Sequence, residues 1–280
     1  MRKRLKLHAR KRKVARRLLP LFAPFILTPV TSAVNSGMAK ASPKSTIKAN
    51  KSNYKIMHFD EVAYSLYNEI GLSKTGLKYE VFSKALTGYY NMKHDGLLSE
   101  KPILTVVDFT KSSAKKRLWV IDIENKEVLH HTYVAHGRNS GVEYAENFSN
   151  DGKSFMSSIG FYVTQDTYVG KHGLSLRLDG VDEGFNTNAL DRCIVIHGAE
   201  YASPDIIEQT GRLGRSLGCP ALPMEEHNAI INTVKGNTAL YVHASENSYT
   251  SDYLDHATAM AELIQENSAN LPSPNTDASI

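Results

Sequence analysis

The chain has 280 residues, of which 41% are hydrophobic, and this length is enough to bury one substantial core. Its composition has no strong bias, which excludes a mostly disordered protein. The net charge of +4 is unevenly distributed, because residues 1–41 hold eleven of the Lys and Arg residues and no acidic residue. The rest of the chain has 22 basic against 29 acidic residues, so its charge does not indicate a nucleic-acid-binding protein.

Residues 1–41 have the pattern of a secretory signal peptide. Ten Lys and Arg residues precede the apolar run Leu18 to Val30, and small residues follow as far as Ala39-Lys40-Ala41. The run is interrupted by prolines and is shorter than the roughly 20 apolar residues that a membrane-spanning helix needs. We therefore expect export to the periplasm or cell envelope, with membrane contact only during export. The alternative, a basic arm that binds nucleic acid, does not explain the apolar run.

Three further segments flank the part of the chain with the strongest β pattern. Residues 42–55 are rich in Ser, Lys and Asn without an apolar period, which predicts a flexible linker. Over 56–101, apolar residues recur at the three-and-four spacing of amphipathic helices, and Gly88 and Asn91 are expected to end the second of them. We predict that this segment is a helical N-terminal addition packed on the main domain. Residues 246–280 contain at most one short helix and are predicted to form a mobile C-terminal tail.

Residues 102–245 have the sequence pattern of a β-rich domain. Short segments rich in β-branched and aromatic residues alternate with clusters of Gly, Asn, Asp and Lys. The predicted strands are Ile103–Phe109, Arg117–Ile123, Val128–Ala135, Gly160–Val169, Ser175–Leu178, Cys193–His197 and Ala239–His243. Pro223 and the acidic residues after it suit the first turn of a helix that runs to Val234. The predicted fold class is mainly β with appended helices, that is, α+β.

A histidine and a cysteine carry the clearest chemical signal. His197 ends a buried apolar strand, and Cys219 lies in a Gly-flanked turn 22 residues later. A thiol with an ordinary pKa of about 8.5 is mostly protonated at neutral pH, so a nucleophilic cysteine needs a neighbouring base. Backbone N–H groups of Gly218 and Cys219 would stabilise the charge that develops on a carbonyl oxygen. On residues alone, an incidental cysteine in a turn remains an alternative.

The order of these residues resembles a known catalytic domain. A strand, His-Gly, a loop and then Ser-x-Gly-Cys, here His197, Ser216, Leu217, Gly218 and Cys219, is similar to the L,D-transpeptidase catalytic domain. Further segments resemble the murein L,D-transpeptidase subgroup: Ser157-Ser158-Ile159-Gly160-Phe161-Tyr162, Gly173-Leu174-Ser175-Leu176-Arg177-Leu178 and Gly211-Arg212-Leu213-Gly214-Arg215-Ser216. The resemblance covers about 103–244 and implies the β fold of that domain.

The resemblance implies an acyltransferase that acts on the peptide stems of peptidoglycan. Cys219 would attack the carbonyl carbon at the L-configured stereocentre of a residue in a tetrapeptide stem. An amine of a second stem would then accept the acyl group. His197 would act as base and later as acid, oriented by the backbone carbonyl of Gly198. Water as acceptor would instead make the protein an L,D-carboxypeptidase or a crosslink hydrolase. A non-catalytic peptidoglycan-binding module, with Cys219 incidental, is the alternative from another class.

Two departures from the family pattern concern substrate binding. Leu217 stands where many members carry His or another polar residue, and Ala221 stands where many carry Arg. Arg212 and Arg215 are candidates to replace that cation as the partner of a substrate carboxylate. Ser216 of the same loop, His136 and His172 are further candidate substrate contacts.

The second cysteine and the adjacent histidines His130 and His131 are expected to be structural residues. Cys193 shares a strand face with Val195 and His197 if the strand begins there, and we expect it to be a small buried residue. The alternative is a redox partner that forms a disulfide with Cys219. His130 and His131 are adjacent in a strand and point to opposite faces, so they do not form a zinc pattern. We expect no metal and no cofactor.

Overall fold

The computed structural model describes residues 58–269, all of which fall in one compact unit. The predicted signal peptide, 1–41, and linker, 42–55, lie outside the described residues. No helix within 58–269 is long and apolar enough to span a bilayer.

Eight strands form a single sheet that nearly closes on itself. They are β1 Ile103–Asp108, β2 Leu118–Asp122, β3 Glu127–Thr132, β4 Gly160–Gly170, β5 Gly173–Gly180, β6 Val195–Gly198, β7 Ala221–Leu222 and β8 Ala239–His243, in the order β3-β2-β1-β8-β4-β5-β6-β7. The β1–β8 and β6–β7 pairs are parallel and the others antiparallel. A bridge between Ala135, which follows β3, and Ala221 of β7 joins the two edges of the sheet. The predicted class, mainly β with appended helices, is confirmed.

Five helices lie around this sheet. They are α1 over 58–70, α2 Tyr79–His94, α3 Pro204–Thr210, α4 His227–Val234 and α5 His256–Ala269, with 3-10 turns at Leu72–Thr75, Glu200–Ala202 and Asp252–Leu254. α3 occupies a segment that the sequence suggests is a polar loop. None of its residues is buried, so it has no apolar stripe from which a helix can be predicted.

The first two helices share one core with the sheet. Phe82 of α2, Trp119 of β2 and Phe161 of β4 belong to the same buried cluster. The boundary expected near residue 101 therefore marks a change of secondary structure rather than a second core. Helix α2 also continues past Gly88 and Asn91, where the sequence predicts its end, as far as His94. A Cβ at residue 88 would lie 2.0 Å from the Phe161 ring, so glycine here permits close packing of helix on sheet.

Helix α5 packs on α2, which corrects the expectation for residues 246–280. Ala259, Met260 and Leu263 of α5 are buried in the core that includes α1 and α2. Asn91 Nδ2 donates to the carbonyl oxygens of Tyr253 and Asp255 at 3.0 and 2.9 Å. Residues 252–269 are thus part of the folded unit instead of a mobile tail, and 270–280 lie outside the described residues.

A second core lies on the side of the sheet that carries α4. Ile230 and Ile231 of α4 are buried with Leu176 of β5 and Ile196 of β6. This packing fixes the β5–β6–β7 edge, where His197 and Cys219 lie.

Candidate active site

The strand pairing brings the predicted base and nucleophile to one edge of the barrel. His197 of β6 pairs with Ser175 of β5 on one side and with Ala221 of β7 on the other. Ala221 comes two residues after Cys219, so in this parallel pair the cysteine lies just before β7, level with Val195 at the start of β6. The site is built from a buried strand and the turn that leads into its parallel neighbour.

The backbone holds the His197 ring in one tautomer. Its Nδ1 lies 2.8 Å from the carbonyl oxygen of Gly198, the contact that the family resemblance implies. Because a carbonyl only accepts, Nδ1 carries the proton and Nε2 is left as the basic nitrogen. Burial lowers the pKa of His197, so the imidazole is neutral at neutral pH.

His172 covers the other side of this ring. It lies in the tight turn between β4 and β5, and its ring stacks on that of His197 with centroids 4.3 Å apart and planes inclined by 24°. After burial, the pKa of His197 is lowered further by His172 and Lys171. The β4–β5 turn therefore contributes both contact and positive charge to the base.

The turn that carries Cys219 is fixed by the side chain of Ser216. Ser216 Oγ accepts from the Gly218 N–H at 3.1 Å and donates to the Cys219 carbonyl oxygen at 2.6 Å. Gly218 has φ +123°, and a Cβ there would lie 2.8 Å from the Met156 carbonyl oxygen. The Gly218 N–H is thus already hydrogen bonded, contrary to its expected role toward a substrate oxygen. The Cys219 N–H has no acceptor among the described residues.

Cys219 is a half-buried thiol. Its Sγ lies 3.6 Å from the carbonyl oxygen of Cys193, to which it donates. Burial raises the pKa of Cys219, and this effect exceeds the opposing effects of a hydrogen bond from the Val195 backbone N–H to the sulfur and of the Arg192 charge. The resting pair is therefore a neutral thiol and a neutral imidazole.

Arg192 packs beside the turn that carries Cys219. Its guanidinium donates to the carbonyl oxygens of Ser149 and Met156, each at 2.6 Å. One of its nitrogens lies 3.4 Å from the position of a Gly218 Cβ. An arginine just before a buried strand has no distinguishing local pattern, so no sequence signal marks this role.

Cys193 is exposed, so the expectation that it is buried is wrong. The strand begins at Val195, and Cys193 precedes it in the left-handed region with φ +55°. Strand alternation therefore does not apply to this residue. It contacts the site through its carbonyl oxygen, as described for Cys219.

An open cleft of about 530 Å³ adjoins Gly198. Its lining comes from the β4–β5 turn, the segment after β6 and the start of α4: Lys171, His172, Gly173, Leu174, Gly198, Ala199, Glu200, Tyr201, Met224, His227 and Asn228. Of the five side chains predicted to contact substrate, only His172 lines this cleft.

His136 is a structural residue rather than a substrate contact. Its side chain is fully buried, and Arg117 Nη2 donates to its Nδ1 at 2.8 Å. Burial, together with the charge of Arg117, lowers the pKa of His136 to about 3. Its carbonyl oxygen accepts from the Ser216 N–H at 2.9 Å, so His136 supports the turn that carries Cys219 through its backbone.

The two candidate arginines are engaged elsewhere. Arg212 Nη1 donates to the carbonyl oxygen of Leu213 at 2.8 Å. Arg215 Nη1 donates to those of Arg138 and Gly141, at 3.1 Å each. Neither lines the cleft, so the structure does not bring either arginine to the expected substrate-binding position.

His227 explains why residue 198 is a glycine. Its Nδ1–H donates to the Met224 carbonyl oxygen at 2.8 Å, and a Cβ on residue 198 would lie 2.7 Å from its ring. The sequence shows only a histidine inside a predicted helix, so this contact could not be inferred. His227 thereby fixes the backbone whose carbonyl orients His197.

No group of three or more His, Cys, Asp or Glu side chains within 58–269 is arranged to hold a metal ion. The expectation that the site needs no metal stays a prediction.

Comparisons with known proteins found a matching family and several similar solved structures. The family "L,D-transpeptidase catalytic domain" matches residues 73–243. Among solved structures, an L,D-transpeptidase from Mycobacterium smegmatis is 15% identical with a TM-score of 0.32, covering 51% of this chain and 59% of that one. The helical cell shape determining protein Pgp2 from Campylobacter jejuni is 12% identical with a TM-score of 0.33, covering 65% and 64%.

The match thus spans about six-tenths of the length of each of these structures. No curated protein matches the chain. The family match alone covers more than half of the 280 residues, and it supports a function related to peptidoglycan. The chain belongs to the L,D-transpeptidase catalytic domain family.

Proposed function

We propose that the protein is an exported L,D-transpeptidase that works through a Cys219 acyl-enzyme on peptidoglycan peptide stems. The observation that carries the proposal is the β6–β7 pairing, which sets His197 opposite Ala221, two residues after Cys219. The Nδ1 contact with Gly198 supports it, since it leaves Nε2 of His197 as a base. Family membership supports the choice of substrate.

The reaction begins from the neutral pair. As Sγ of Cys219 bonds to the carbonyl carbon of the L-centre, Nε2 of His197 takes the thiol proton. The unengaged Cys219 N–H is the donor proposed to stabilise the resulting oxyanion. The carbon–nitrogen bond to the D-residue then breaks, and the departing amine takes the proton from His197. An acceptor amine attacks the thioester and regenerates the thiol.

This account uses general-base catalysis rather than a preformed thiolate–imidazolium pair. Burial opposes both charged forms, since it raises the pKa of Cys219 and lowers that of His197. Charge therefore develops only when the substrate carbonyl is in place to receive the nucleophile.

Water is the competing acceptor. Cys219 is half-buried rather than fully enclosed, which supports hydrolysis of the acyl-enzyme as an alternative outcome. The protein would then act as an L,D-carboxypeptidase or a crosslink hydrolase with the same two residues. Because a peptidoglycan substrate lies outside the cytoplasm, each of these activities requires export to the periplasm or cell envelope, and the proposed partners are peptide stems rather than nucleic acid.

Mass analysis of muropeptides after incubation with the purified protein tests the proposal. Transpeptidation yields new crosslinked dimers, carboxypeptidase activity yields tripeptides from tetrapeptides, and crosslink hydrolysis consumes dimers. The Cys219→Ala variant should yield none of these changes. Wall binding with an unchanged muropeptide profile for the parent protein would favour the non-catalytic module instead.

A further inference from the structure

The cation that would receive a substrate carboxylate is missing from the position after the nucleophile. Ala221 stands where many family members carry Arg, and its side chain is fully buried. Its backbone bonds to Ala135 in both directions, with N···O distances of 2.8 and 3.3 Å. This position closes the barrel and offers no charge to a ligand.

The arginines around the turn that carries Cys219 already contact other groups of the protein. Arg192 holds the carbonyl oxygens of Ser149 and Met156, and Arg212 and Arg215 hold loop carbonyl oxygens as described above. The Arg138 guanidinium lies 4.3 Å from the centre of the Phe155 ring. A new ligand would have to displace an existing contact to reach any of these four groups.

Lys171 is the exception. It is exposed, it lines the cleft, and it has no hydrogen bond or ion pair to any residue in the described part of the chain. Its charge reaches the reacting groups: besides the effects of burial and hydrogen bonding, it lowers the pKa of both His197 and Cys219. It lies in a two-residue turn between the paired residues Gly170 and Gly173, which fixes its position on the sheet.

An acidic residue on the opposite wall of the cleft makes the electrostatic potential differ between the two walls. Glu200 also lines the cleft, is exposed, and forms no ion pair with Lys171 or with any other described residue. An anionic group in the cleft is therefore attracted to the β4–β5 turn and repelled from the segment after β6.

We propose that Lys171 binds the terminal carboxylate of the donor stem and takes the place of the arginine that this chain lacks. The proposal rests on the proposed function and deepens it, since it identifies the residue that determines specificity for stems with a free carboxylate. Lys171 binds substrate, whereas the chemistry stays with Cys219 and His197.

Binding to the inactive Cys219→Ala protein tests this directly. Calorimetry would compare a tetrapeptide stem bearing a free C-terminal carboxylate with the same stem as its C-terminal carboxamide. Adding Lys171→Met should weaken binding of the carboxylate stem about fivefold at low salt, the scale of an exposed charge pair. Binding of the carboxamide should not change, Lys171→Arg should restore affinity, and raising the salt should shrink the difference.

Lys84→Met is the matched control, because Lys84 is an exposed lysine on α2 outside the cleft. In the active enzyme, Lys171→Met should raise KM with little change in kcat. Equal loss for both stems, or no loss for either, overturns the role of Lys171 while leaving the proposed function intact. If the Cys219→Ala parent binds neither stem, the proposed function itself fails.

Discussion

At the scale of single residues, the stacking of His172 on His197 leads to a testable prediction about the pKa of the base. His172 helps to lower the pKa of His197, after the larger effect of burial. His172→Phe keeps a flat ring on His197 but cannot be protonated, so no charge at residue 172 opposes protonation of the base and the pKa of His197 should rise. The acid limb of the kcat/KM profile should then move to higher pH, with kcat near that of the parent protein.

His172→Ala provides the contrast, since it removes the stacking contact as well. We expect the same direction of shift in the acid limb together with a lower kcat, because the ring loses a surface that orients it. Superimposable pH profiles for the parent and both variants would show that His172 does not act on the base.

The contact between Gly198 and His227 gives a second prediction at this scale. Gly198→Ala adds a methyl group 2.7 Å from the His227 ring, which overpacks the site and should cost about 1–3 kcal/mol of unfolding free energy. It should also lower kcat, because the Gly198 carbonyl oxygen orients His197.

A double-mutant cycle checks the mechanism of that loss. His227→Ala removes the ring that the new methyl group meets, so the double variant should regain part of the stability lost in Gly198→Ala. Strictly additive losses, measured by chemical denaturation, would mean that the His227 ring is not the cause.

At the scale of secondary structure elements, the packing of α2 on the sheet depends on Gly88. Gly88→Ala improves helix propensity by up to about 1 kcal/mol, but its methyl group would meet the Phe161 ring. We expect a net loss of about 1–3 kcal/mol of unfolding free energy. Gly152→Ala is the control, since no atom lies within 4 Å of its added carbon and its φ is not positive. A more stable Gly88→Ala protein would contradict the close packing of α2 on β4.

The same element shows where local patterns are insufficient. The apolar spacing predicts α2, yet it predicts an end before His94 because glycine usually interrupts a helix. Whether a glycine ends a helix or accommodates an aromatic ring depends on Phe161, which is 73 residues away in the chain. Helix α3 and the two-residue strand β7 were missed for a related reason, since neither has a periodic pattern of its own.

At the scale of the whole molecule, the sequence identifies seven of the strands because each alternates with turn residues or is continuously apolar. The sequence also identifies His197 and Cys219 as candidate catalytic residues, because their order and spacing resemble those of a known family. It does not identify Arg192 and His227, whose roles arise only when distant segments meet. The prediction that Arg212, Arg215 and His136 contact substrate is wrong for the converse reason. In the folded chain each of them hydrogen bonds to a partner that the sequence does not show.

The acyl-enzyme itself is the most direct test of the account. Purified protein incubated with a tetrapeptide stem and quenched with acid should gain the mass of the tripeptide acyl group, and peptide mapping should locate it on Cys219. His197→Ala should slow adduct formation about a hundredfold or more, and Cys219→Ala should form none. Turnover that persists in Cys219→Ala, or an adduct on another residue, would contradict the account.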